Sequence, residues 1–123
     1  MKAVHFSKKD THLVDLETKK ILKYPTPTSQ FDVGKMIVHG RHPEKDDEFL
    51  LEHECSFVMY ILKGKGRVYA GKQHFSVVAE DVVFVPKDTP FAVDGDFEYV
   101  TFSIPAFFLE QSEIVKVDQR LSK

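Results

Sequence analysis

Apolar positions in this chain fall in short runs rich in Val, Ile, Phe and Tyr, separated by Gly, Pro and Asp at intervals of about ten residues. That spacing predicts strands rather than helices. The expected strands are Lys20 to Tyr24, Phe31 to Arg41, Cys55 to Leu62, Arg67 to Ala70, Gln73 to Val77, Val82 to Val85, Phe91 to Val93 and Phe97 to Ile104. Glycines in "KGKG", "AGKQ" and "DGD" tolerate positive φ and predict hairpin turns, while "PKDTP" predicts a rigid corner. "LETKK" reads equally as a helical turn or a hairpin. No fixed-period repeat is present, so a solenoid or propeller is not expected. The last stretch, from Pro105, carries Phe107, Phe108, Leu109, Ile114 and Val115, and so much apolar surface has to pack on its own sheet or on a partner.

Composition narrows the function classes. At 123 residues and 14.2 kDa one domain, 1–123, is expected. Eleven Phe and four Tyr supply ample core. A formal net charge of -2 offers no basic excess to track a phosphate backbone, so nucleic acid is a poor candidate partner. No apolar run reaches the roughly 20 residues needed to cross a bilayer. Cys55 is the single cysteine and has no intramolecular partner, and the start shows no apolar leader; a cytoplasmic location is expected.

Two motifs carry a resemblance. "FVMYILKGKGRVYAGKQHF" followed by "AEDVVFVPKDTPFAV" resembles the cupin superfamily, specifically its small single-domain members, over about Ile37 to Ile104, with residues 105–123 as a C-terminal arm. The resemblance implies an all-β antiparallel jelly-roll barrel with an interior cavity. Many cupins hold a divalent metal with two His and a Glu from the first motif and a His from the second. Counted back from Gly64, those positions fall on Leu51, His53 and Phe57, and the second-motif position falls on Phe91. Only His53 is a ligand type. Three of four ligand positions are apolar, so no metal and no cofactor is expected. Glu80 and Asp88 stand where the second motif has glycine.

Strand alternation turns Leu51, His53, Cys55 and Phe57 to one side, expected to be the interior. His53 is then either a satisfied core histidine or a ligand-contacting group, and Cys55 a small buried hydrophobe. His39, His53 and Cys55 form a conceivable soft metal site, while "HGRHPEKDDE" reads as a solvated acidic loop. In Tyr99, Thr101 and Ser103 against Val100, Phe102 and Ile104, the apolar row is expected to face the core. The expected binding residues are His53, Phe57, Phe91, Cys55, Met59 and His39. The expected function is a metal-free, non-catalytic small-molecule-binding barrel, with a homodimer and a small-molecule ligand as partners. The alternative is a metal-independent cupin enzyme of the sugar epimerase or isomerase type, with His53 as acid/base and only His39 or Tyr99 able to oppose it. A barrel filled by Phe57, Phe91 and Met59 and serving mainly for dimerisation is a third reading.

Overall fold

The computed structural model describes residues 2–117. Nine strands appear in order: β1 His12–Leu16, β2 Lys19–Lys23, β3 Asp32–His39, β4 Glu48–Glu52, β5 Ser56–Ala70, β6 Gln73–Val78, β7 Val82–Val85, β8 Phe91–Ile104 and β9 Ser112–Lys116. Two short 3-10 turns, Lys8–Asp10 and Leu109–Gln111, are the helical elements among the described residues. All strand pairs are antiparallel. The sheet runs β1-β2-β3-β8-β4-β9, and β5 lies along the whole of β8 while also pairing with β6 and β7. The sheet curls into an antiparallel jelly-roll barrel, as the motifs implied.

Local chemistry explains the correct and the misread boundaries. "AGKQ" is a two-residue hairpin with Gly71 at φ +61°, and β7 matches its predicted limits. "LETKK" is the turn of the β1–β2 hairpin. "KGKG" and "DGD" are not turns. They lie inside β5 and β8, where the register shifts between Ile61 and Lys63 and the two strands cross closely. A Cβ on Gly95 would come within 2.6 Å of the Gly66 Cα, and one on Gly64 within 2.7 Å of the Phe97 Cα. These glycines permit backbone contact rather than chain reversal. Gly64 also has φ +83°, so Gly64→Ala combines a clash with an unfavourable conformation. It is expected to cost about 2–4 kcal/mol in denaturant melts.

Glu80 and Asp88, at the glycine positions of the second motif, have φ of 76° and 62°, the left-handed conformation those glycines would adopt. The C-terminal arm packs on its own sheet: β9 pairs with β4 from Glu48↔Lys116 to Glu52↔Ser112. Residues 118–123 of that arm lie outside the described residues. Gln111 pins the arm down. Its backbone carbonyl accepts from the His53 amide at 3.0 Å, its side-chain oxygen accepts from the Glu54 and Cys55 amides, and its Nε2 donates to Glu52 at 2.5 Å.

The core is continuous along the inner faces of β3, β5, β7 and β8, with Val38, Met59, Ile61, Val68, Val85 and Val93 essentially closed to solvent. On β8 the inward row is Tyr99, Thr101 and Ser103; Phe102 and Ile104 are exposed, the reverse of the sequence expectation. Alternation gave two rows but not their sides, and apolarity misled because the outer face of this sheet is also apolar. No helix among the described residues is long and apolar enough to cross a membrane.

Candidate functional site

His53 does not enter the barrel. Between β4 and β5 the chain bends at His53 and Glu54, which breaks the alternation assumed for Leu51 to Phe57. Glu52 turns inward instead, held by Gln111, and Leu51 is half-buried. His53 is exposed, its Nδ1 3.4 Å from Asp88 and its Nε2 3.1 Å from Glu113. The hydrogen bond to Glu113 is the main reason its pKa is raised above 6.5, with Asp88 adding to it. That ring links the β7–β8 turn to β9 at the surface, and it opposes neither His39 nor Tyr99 across a cavity.

The other expected binding residues scatter. Phe57 and Phe91 meet edge-to-face, 4.7 Å between centroids, inside the core cluster that also contains Met59. They fill space that was expected to be an opening beside His53. Cys55 is buried, and desolvation, then the Glu52 and Asp32 charges, push its thiol pKa up, away from nucleophile behaviour. His39 is exposed, with Nδ1 3.2 Å from Asp96. The cupin metal positions therefore do not converge: two are core phenyl rings and the remaining imidazole is outside. Among the described residues no group of three His, Cys, Asp or Glu side chains is placed to hold a metal ion. The residues do not fit the metal that the fold implies.

A different polar set lies inside. Lys19, at the start of β2, pairs with Val38, which pairs with Phe97, so its side chain shares the inner face of those two residues. It is only 5% exposed. Its ammonium lies 5.9 Å from the ring centroid of Tyr99, itself 2% exposed and stacked on Phe97. Among the described residues the ammonium has no carboxylate partner, and because no buried side-chain nitrogen there lacks a hydrogen-bond partner, its tip still reaches solvent. A buried charge is ordinarily paired, because desolvating it alone is costly. A lysine whose stem is buried, with an aromatic ring rather than a carboxylate beside its ammonium, is placed to meet a ligand anion or charge that develops during a reaction.

His42 completes the set. It follows β3, and its backbone forms a two-way bridge with Val93, N to O 2.9 Å and O to N 3.1 Å. Its imidazole is half-buried, and among the described residues its ring nitrogens have no hydrogen bond. Burial first, then the positive charges of Lys19 and Arg41, lower its pKa from 6.5 to about 4. At neutral pH it is therefore an uncharged base. Arg41 does not face the interior. Its guanidinium stacks on Phe49 and donates to the carbonyls of Pro43, Lys45, Asp46 and Glu48, the last two at 3.0 Å. The acidic loop is thus wound around Arg41, and Thr18 Oγ1 donates to the Arg41 carbonyl at 2.7 Å, tying that loop to the turn that presents Lys19.

Sequence reasoning missed Lys19 and His42 and turned Tyr99 outward. "KKILK" alternates lysines on both sides of β2, and His42 sits in a run whose charges read as solvated surface. The available signal was the Pro after His42, which marks a fixed backbone rather than a loose loop.

An open cleft of about 490 Å³ lies elsewhere, between the N-terminal segment and the β2–β3 connection, lined by Val4, Phe6, Tyr24, Pro27, Phe31 and Val33 among others. It is outside the barrel.

No family model and no curated protein sequence matches this chain. Solved structures do match. Variants of Streptomyces PAC13 with uridine, one replacing a tyrosine by phenylalanine and one a histidine by glutamine, superpose with TM-scores of 0.83 and 0.82 at 19% and 16% identity, covering 98% of both chains in each case. An RmlC-like cupin from Shewanella frigidimarina superposes at 0.68 with 19% identity over 85% of this chain and 93% of that one. The fold is that of the cupins. Bacillus subtilis oxalate decarboxylase matches at 0.72 and 17% identity, this chain covering 32% of it. PAC13 is described as a nucleoside dehydratase, and its match covers 97% of both chains. This corrects the expectation of a non-catalytic binding barrel: PAC13, which matches end to end, is described as an enzyme, and here the barrel carries a largely buried lysine and an uncharged histidine. The metal-independent enzyme reading fits better, though not with His53 as its acid/base.

Proposed function

We propose that this protein is a metal-independent cupin enzyme of the lyase type that removes water from a nucleoside or a similar sugar-ring compound. The observation that carries the reading is Lys19, 5% exposed and without an anionic partner, beside a neutral His42. The likeness to a nucleoside dehydratase supports the reaction class.

In this reading His42 takes a proton from a substrate carbon and Lys19 holds the negative charge that develops on the adjacent oxygen. An imidazole of such low basicity does not deprotonate an unactivated sugar carbon. The substrate must therefore carry the leaving proton next to a carbonyl or comparable electron sink. The electron pair of the broken C–H bond forms the enolate, which then expels the β-hydroxyl; the proton on His42 leaves with it as water. Negative charge building beside the ring raises its basicity during the step, so the low pKa of the free site suppresses idle protonation without preventing transfer. The Tyr99 ring, under the Lys19 ammonium, keeps the cation in place between turnovers.

Chelator-treated protein incubated with nucleosides and their carbonyl-bearing derivatives is expected to yield a product lighter by one water, followed by mass spectrometry. Turnover that appears only when a divalent metal is restored would overturn the metal-independent part. Absence of any dehydration across both sets would overturn the reaction class.

A further inference from the structure

We infer that Thr18 is a positioning residue, the one that fixes the chain carrying His42 against the turn that presents Lys19. Its role in turnover rests on the dehydration proposed above, whereas its hydrogen bonds stand without it. Thr18 is the second residue of the tight turn between β1 and β2, directly before Lys19. β2 and β3 pair only as far as Lys19↔Val38. One more backbone bond follows, from the His39 amide to the Thr18 carbonyl at 2.8 Å. There the chain leaves β2: Gly40, at φ +111°, donates to the Gly95 carbonyl on β8 at 2.9 Å, and His42 bridges Val93. From that point the Thr18 side chain takes over. Its Oγ1 donates to the Arg41 carbonyl at 2.7 Å, and its methyl lies over Gly40, where a Cβ would stand 3.4 Å away. Among the described residues no other hydrogen bond joins residues 40–42 to the β1–β2 hairpin.

Dehydration next to a carbonyl asks two groups to act on neighbouring atoms at once, His42 on the C–H bond and Lys19 on the oxygen one carbon away. Their separation has to match those atoms, and a misplacement of about 1 Å can cost on the order of 10²-fold in rate. The two residues stand on segments held by different strands, Lys19 on β2 and His42 against β8. The Thr18 hydroxyl is the link between them. Arg41 works from the other side: its guanidinium gathers the carbonyls of the loop after His42, so the histidine is held before and behind. This coupling is readable without substrate. The charges that bear on the His42 ring are Lys19 from β2 and Arg41 beside it, which with burial lower its pKa to about 4, while Asp96 on β8 is engaged by His39. A segment released from Thr18 admits water to the ring and lets it move away from Lys19, and both changes raise that pKa.

The test is Thr18→Val, which keeps the branched shape and removes the hydroxyl, read by NMR titration of the His42 ring in the free protein and by kcat on whichever nucleoside or carbonyl-bearing derivative the wild type dehydrates. Thr18→Ser keeps the donor. Thr11→Val removes a similar bond, Thr11 Oγ1 to the Lys8 carbonyl, on the exposed first 3-10 turn. In Thr18→Val the ring is expected to titrate above its wild-type value, toward 6.5, and kcat to fall by about 10-fold to 10²-fold with little change in KM and an unchanged circular dichroism spectrum. Thr18→Ser and Thr11→Val are expected to match wild type in both readings. A His42 ring that titrates in Thr18→Val as it does in wild type overturns the inference, as does a shifted ring with undiminished kcat. An equal shift in Thr18→Ser or Thr11→Val overturns it too, because general loosening and not this hydroxyl would be the cause. A wild type that dehydrates nothing overturns the proposed function instead, and the ring titration alone then decides whether Thr18 holds His42.

Discussion

Replacing Lys19 by methionine is expected to stabilise the protein and to cut its turnover sharply. Methionine keeps the length of the side chain and fills the same space against Tyr99 and Val38, while removing a cation that is 5% exposed and has no anionic partner among the described residues. Loss of the desolvation cost should contribute about 1–3 kcal/mol, read as a higher midpoint in urea. Loss of the charge that meets the developing oxyanion should lower kcat by about 10²–10³. The opposite signs separate this account from a structural one. A lysine that merely packs would lose little activity when replaced by a residue of its own shape, and one that stabilised the barrel would lower the midpoint.

His42→Gln is expected to reduce kcat/KM by about 10²–10⁴, because glutamine keeps polarity and size but takes no proton. The pH dependence of the wild type should carry the histidine's signature. Its pKa is lowered to about 4, so kcat/KM should hold as pH falls through 6.5 and decline only as the ring protonates near 4. In Lys19→Met one source of that lowering is gone, and the acid limb should move upward toward 6.5. Stability follows the same direction. The unfolded chain binds the proton below 6.5 while the folded chain resists it until about 4, so the histidine's contribution is complete above 6.5 and is lost as pH falls between those values. His53 has the opposite sign: with its pKa raised, its stabilising pairs with Glu113 and Asp88 are complete below 6.5 and are lost as pH rises through the folded value. Activity profiles that follow the limb of His53 rather than His42 would place the chemistry at the surface.

How much of this was legible in the sequence depended on what each signal reports. Short β-rich runs and the paired motifs led to the jelly-roll barrel and to β7 at its observed limits, and glycine positions held by Glu80 and Asp88 kept the backbone conformation that the motif demands. Glycine was ambiguous elsewhere. In "AGKQ" it marks a hairpin, in "KGKG" a place where β5 touches β8, and only the partner strand distinguishes the two. The site was lost for a similar reason. Counting along the motif located His53 in sequence, but a two-residue bend sent it outward and turned Glu52 in. Lys19 and His42 are far apart in the chain and come together only because β2 pairs with β3 and the residues after β3 bridge to Val93. The inward row of β8 was misassigned because the outer face of the sheet is apolar too, so apolarity does not tell the two rows apart.

The central claim is that small-molecule chemistry takes place at His42 and Lys19, inside the barrel. Histidine side-chain NMR on uniformly ¹⁵N-labelled protein, titrated with uridine, tests it most directly because His42, His53 and His39 occupy three separate places. The expected result is a saturable shift of the His42 ring resonances, lost in Lys19→Met, with those of His53 and His39 unmoved. Saturable shifts confined to His53, or uridine binding that leaves His42 untouched, would contradict the account.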